Sequence, residues 1–136
     1  MIRTNLTIAA AILREEIKQM IPETNTGSLL TIPENHQPCL IEDKDGNKNY
    51  FGDLLATRCL QLLRAMGVGG KDWEYRVAHF PNNTKISNDR KKAYLVPLSK
   101  YFILIPGGLL SEGTYTYITH DMTISKGGTF ILFVPE

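Results

Sequence analysis

Residues 53–80 read DLLATRCLQLLRAMGVGGKDWEYRVAHF, and their hydrophobic period changes part-way along. Up to Met66 the period is helical. Leu55, Cys59, Leu62 and Met66 stand four, three and four residues apart, the spacing that keeps side chains on one face of a helix. Leu54, Leu60 and Leu63 widen the stripe, so this helix is expected to be mostly buried, with Arg58, Gln61 and Arg64 as its polar edge. Asp53 complements the positive end of the helix. Gly67 suits the left-handed residue that stops it, with Val68 packing back. From Trp73 the period is two. Trp73, Tyr75, Val77 and His79 face one side of a strand and Glu74, Arg76, Ala78 and Phe80 the other.

Toward the N-terminus, Leu6, Ala9, Ala10, Leu13, Ile17, Met20 and Ile21 predict a second amphipathic helix, with Glu15, Glu16 and Lys18 on its solvated face. Thr4, Asn5 or Thr7 caps its start, and Pro22 stops it. Ser28–Ile32 and Cys39–Glu42 read as short strands. Asp45-Gly46 is a hairpin signal, with residues 47–51 as the returning strand. Toward the C-terminus, Pro81–Arg90 reads as a polar loop. Residues 93–96, 101–105, 114–119, 122–125 and 129–134 then read as strands, turned at Pro106-Gly107-Gly108 and Lys126-Gly127-Gly128.

Helices thus crowd the first half and strands the second. The fold class this predicts is α+β: two helices in the N-terminal half packed on a mostly antiparallel β-sheet, or small barrel, formed largely by the C-terminal half. Strict βαβ alternation is absent, which excludes a doubly wound nucleotide fold. The chain is 136 residues long, the size of one domain spanning 1–136. Hydrophobic residues are 43% and charged residues 21% of it, a globular balance. The formal net charge of +1 demands neither nucleic acid nor an anionic membrane. The apolar run from Ile8 to Leu13 is too short and too soon charged for a signal peptide or a membrane span, so a cytoplasmic location is expected. Cys39 and Cys59 read as small apolar core residues, one in a strand and one in a helix.

The sequence offers little reaction chemistry. Gly67-Val68-Gly69-Gly70 follows a helix, whereas a phosphate-cradling loop precedes one. His36-x-x-Cys39 is the only close pair of soft ligands, too few for a closed zinc site, and no cofactor is expected. His79 reads as a core histidine bonded to a neighbour, and His120-Asp121 as a turn. No nucleophile elbow occurs, and adjacent Glu15 and Glu16 diverge around their helix. No enzyme activity is indicated.

One segment stands out. Residues 82–100 carry five Lys or Arg against one acidic residue, while residues 1–50 carry five against seven. Asn82, Asn83 and Asn88 bring amides that suit base edges or sugar hydroxyls. Arg76, Lys85, Arg90, Lys91 and Lys92 bring cations that suit phosphate, and Tyr94 brings a ring for a base to stack on. These nine residues are the predicted ligand-binding site. A second feature is the nearly unbroken apolar character of Tyr101–Leu110 and Thr129–Val134, the mark of strands buried on both faces. In a chain this small, that predicts a homo-oligomer whose second subunit supplies one cover.

The expected function is therefore a non-catalytic, homo-oligomeric binding protein for a phosphorylated, nucleotide-like small molecule. In general character, though not in sequence, that is similar to small phage proteins that sequester defence signals. The alternatives are a protein-interaction or virion component with a protein partner, and a small hydrolase using His79 or His120. Nucleic acid is a weaker expectation, because the cationic cluster is short and no recognition motif accompanies it.

Overall fold

The computed structural model describes residues 2–25, 37–68 and 72–136. Within them the chain runs β1 (Ile2–Asn5), α1 (Ile8–Met20), β2 (Cys39–Glu42), β3 (Lys48–Phe51), α2 (Asp53–Met66), β4 (Trp73–Phe80), β5 (Thr84–Ile86) and β6 (Ala93–Pro97). It continues as β7 (Phe102–Ile105), β8 (Gly108–Leu110), β9 (Thr114–Ile118), β10 (Met122–Ile124) and β11 (Gly128–Pro135). The predicted strand at Ser28–Ile32 lies outside the described residues. The fold is α+β, and every strand pair is antiparallel. A seven-stranded sheet has the order β1-β9-β6-β11-β4-β3-β2, and a four-stranded sheet the order β5-β10-β7-β8. The strands form two stacked sheets, not a barrel.

The large sheet is the middle layer. Period-two alternation sends Val77, Val96, Ile131 and Phe133 into one core with Ile17, Leu55, Cys59 and Leu62 of the helices. The same alternation sends Ala78, Phe80, Leu95, Phe130 and Leu132 into a second core with Phe102, Leu104, Leu110 and Ile124 of the small sheet. Thr129–Val134 is accordingly covered on both faces, as its apolar run predicts, but both covers belong to the same chain. No second subunit is needed for them. Tyr101–Leu110 departs from the expectation: Phe102 and Leu104 point inward, while Tyr101, Ile103, Ile105 and Leu109 are exposed. The run is apolar on a side that no described residue covers.

Local chemistry accounts for most boundaries. The hydroxyl of Thr7 accepts from Ala10 N at 3.2 Å and caps α1. Gly67, left-handed at φ 71°, closes α2. In the β2–β3 hairpin, Asp43 Oδ1 accepts from Asp45 N and Asn47 N at 2.8 and 3.0 Å. Three expectations are corrected. Lys18 is buried in α1 instead of solvated, because its Nζ reaches Glu112 Oε1 at 3.1 Å. Cys39 is exposed because β2 is an edge strand; Cys59 is buried, and both are free thiols. The polar loop at 81–90 contains β5, which pairs with β10. Among the described residues no helix is long and apolar enough to cross a membrane.

Candidate functional site

The predicted site is split by the sheet that carries it. Strand β11 fixes the two ends: Gly128 pairs with Phe80, and Phe133 pairs with Tyr94. Residues 81–85 therefore leave from one end of the sandwich and residues 92–94 join at the other. The five residue steps along β11 from Gly128 to Phe133 span roughly 17 Å. At the first end, Asn82, Asn83 and Lys85 line a polar depression of about 380 Å³ with Asp45, Asn47 and Thr84. Asn83 Oδ1 is occupied there by Lys126 N at 2.8 Å. At the far end, Arg90, Lys91 and Lys92 are exposed, and their side chains make no ion pair among the described residues.

The other members are separate again. Tyr94 lies on the helix side of the large sheet, its ring 5.0 Å from that of Tyr117 and 5.5 Å from that of Trp73. Arg76 is held on β4 by Asn49 Oδ1, which accepts from its Nε at 2.8 Å, and lies 5.3 Å from the Phe80 ring centroid. Asn88 is buried, and its Nδ2 donates to the carbonyls of Ile118 and His120. The nine residues thus do not converge on one cavity. Their charge clusters in sequence because one loop crosses the whole sandwich.

A different group converges at the Gly128 end of the helix-facing side. Lys48, His79 and Thr129 are lateral neighbours on β3, β4 and β11. Ser99, just past β6, continues the row: its Oγ accepts from Thr129 N at 3.0 Å. His79 Nδ1 and Thr129 Oγ1 share a hydrogen bond at 2.8 Å. One rung further in, the same strands present Tyr50, Val77 and Ile131, which belong to the core. The sheet therefore turns from apolar to polar in a single step along its strands. Above that step, the chain leaving α1 brings Glu23 down to Tyr50, whose hydroxyl donates to the Glu23 carboxylate.

Beside this pair opens a cleft of about 830 Å³, with Met20, Pro22, Pro38 and Leu40 among its apolar lining and Glu23, Lys48 and Tyr50 among its polar lining. Burial pushes the Tyr50 phenol up, and its bond to Glu23 pushes it further. Burial depresses His79; Glu23 opposes that and Lys48 adds to it. The cleft offers one ammonium, a phenol locked to a carboxylate, and an apolar wall. That set is chemically suited to one anionic group and a flat or apolar body.

No family model, curated protein or solved structure matches the chain.

Sequence reasoning missed Glu23, Leu40, Lys48 and Tyr50, which fall in segments it treated as turn and hairpin. One signal was available: Lys48 and Tyr50 sit two apart on the returning hairpin strand and so share a face. Glu23 had none, because only the path of the chain after Pro22 brings it there. Of the histidines, His79 is bonded to a neighbour, as its strand position predicts. His120 lies in a connection whose Asp121 accepts from Asn88 N at 2.7 Å, and His36 lies outside the described residues. Among the described residues no three His, Cys, Asp or Glu side chains group as metal ligands.

Proposed function

We propose that the protein is a non-catalytic binding protein that holds a small phosphorylated, nucleotide-like molecule in the cleft between the end of α1 and the β2–β3 hairpin. The observation that carries this reading is the cleft itself, of about 830 Å³, in which Lys48 stands on the same strand face as Tyr50, opposite Leu40. That volume lies within the range of small-molecule sites. Lys48 supplies point charge for a phosphoryl group. Leu40, Met20 and the two prolines supply a surface for a planar body. Glu23 and Tyr50, already bonded to each other, supply an acceptor and a fixed hydroxyl at the inner wall. The cationic loop at 90–92 contributes only to the field around the molecule.

Titration calorimetry with nucleoside mono- and diphosphates, run beside native mass spectrometry of the purified protein, tests this reading. One molecule is expected per chain. Lys48→Ala is expected to weaken Kd about tenfold or more, the loss of a charge-assisted bond, with an unchanged melting temperature. Arg90→Ala combined with Lys91→Ala is expected to leave Kd nearly unchanged. Absence of binding to any of these probes, or wild-type affinity in Lys48→Ala, overturns the reading. Turnover of a bound nucleotide that His79→Ala abolishes would replace binding with hydrolysis.

A further inference from the structure

The small sheet covers the large one with the inner side of β5, β10, β7 and β8, and its outer side faces solvent. Phe102, Leu104, Leu110, Met122 and Ile124 point inward and are buried. Between them, Tyr101, Ile103, Ile105 and Leu109 point outward and are exposed by 84, 42, 51 and 57%. Register gathers them into one patch. Ile103 is opposite Leu109, and Ile105 is opposite Thr123, which is in turn opposite Lys85. A contiguous patch of large apolar side chains, unlike apolar residues exposed singly, marks a contact surface.

Charge identifies the kind of partner. Lys85 stands on the face itself, Lys100 adjoins Tyr101, and Lys126 follows the end of β10; all three are exposed. No acidic residue occurs in β5, β7, β8 or β10. Glu112 shares a shallow depression with Lys100, Tyr101 and Leu109, but its carboxylate is engaged by Arg14 and Lys18. The patch is thus an apolar centre in a cationic surround. A second copy fits it poorly, because a face-to-face pair sets these lysines against one another. Its area is also small. Four strands of three or four residues present roughly 19 by 14 Å, well below the area of about 800 Å² that each partner of a stable pair commonly buries. An interface of that size gains from complementary charge around it, which speeds encounter and selects the partner.

We propose that the outer face of the small sheet docks a protein partner that meets Ile103, Ile105, Leu109 and Tyr101 with apolar side chains and surrounds them with carboxylates. The face lies on the opposite side of the large sheet from the ligand cleft, so this interaction and the proposed ligand binding stand or fall separately.

The test places a photo-crosslinker on the face as Tyr101→p-benzoylphenylalanine, in the full chain expressed in its own cells. The crosslinked protein is identified by mass spectrometry, purified, and titrated against the uncrosslinked wild type. The crosslinked peptide is expected to come from a surface rich in Asp and Glu. Ile105→Asp is expected to weaken binding about tenfold or more, and so is the triple variant Lys85→Glu, Lys100→Glu, Lys126→Glu, with affinity falling as salt is added. Thermal melts of these surface variants check that each is folded. Crosslinking to another copy of this chain, to lipid or to nothing overturns the proposal. So does a partner whose affinity ignores the three charge reversals.

Discussion

Asn88 is 3% exposed, and three of its hydrogen bonds cross to residues 118–121. Its Nδ2 donates to Ile118 O at 3.0 Å and His120 O at 3.3 Å, and its backbone N–H donates to Asp121 Oδ1 at 2.7 Å. These bonds fasten the loop between the two sheets to the end of β9. Asn88→Ala strips the partner from a buried carbonyl, so a loss of about 2 kcal/mol of stability is expected. Urea unfolding at an unchanged slope measures it, and a shift within error of zero would mean that water replaces the amide. The sequence reads Asn88 as a ligand amide, and the structure places it as a buried anchor of backbone carbonyls. An amide beside cations reads equally as a ligand contact or as a backbone anchor, and only the position of β9, thirty residues on, separates the two. Lys18 was misjudged for the same reason, since its partner Glu112 lies 94 residues away.

Among the elements, the β10–β11 connection shows how tightly the two sheets are joined. A Cβ placed on Gly128 would lie 2.9 Å from Ile124 Cγ2, 3.0 Å from Phe102 Cε2 and 3.1 Å from Ser125 O. None of these can retreat, because Ile124 and Phe102 are fully buried between the sheets. Gly128→Ala is therefore expected to cost about 2 kcal/mol by overpacking, read as a lower melting temperature. Lys126-Gly127-Gly128 was legible as a turn, but its second glycine is there for packing. Elements with a sustained period were legible to the residue: α2 at Asp53–Met66 and β4 at Trp73–Phe80 have the bounds their patterns predict. The short strands β1, β5 and β8 were not. These three lack a β-prone run set off by turn signals of its own, and they exist because a neighbour offers an edge.

Across the whole molecule, one ionic cluster clamps the helical layer to the sheets. Arg14, buried in α1, donates from Nε to Pro97 O at 3.0 Å and from Nη2 to Leu98 O and Glu112 Oε1 at 3.3 and 2.8 Å. Lys18 donates to the same carboxylate. Burial alone would raise the Glu112 carboxyl, but the bonds from Lys18 and Arg14 outweigh it and hold the group below its ordinary range. A depressed carboxyl stabilises the fold fully above the unfolded value, near 4.5, and that contribution fades as pH falls through the lower folded value. Glu112→Gln is expected to be less stable than wild type by about 2 kcal/mol at pH 7, with the gap closing below pH 4.5. A gap that stayed constant down to acid unfolding would assign the loss to packing. Neither this clamp nor the cleft was legible in the sequence, because each joins residues that meet only through strand order.

That order has a consequence in time. Strand β11 lies between β6 and β4, the only link between one half-sheet of β1, β9 and β6 and another of β4, β3 and β2. It also follows every other described strand in sequence, with His79 waiting fifty residues for Thr129. A nascent chain that has emerged only as far as Ser125 holds two half-sheets with bare facing edges and no strand to bridge them. Until β11 emerges the protein is thus a pair of open templates, exposed to any extended segment that arrives before its own.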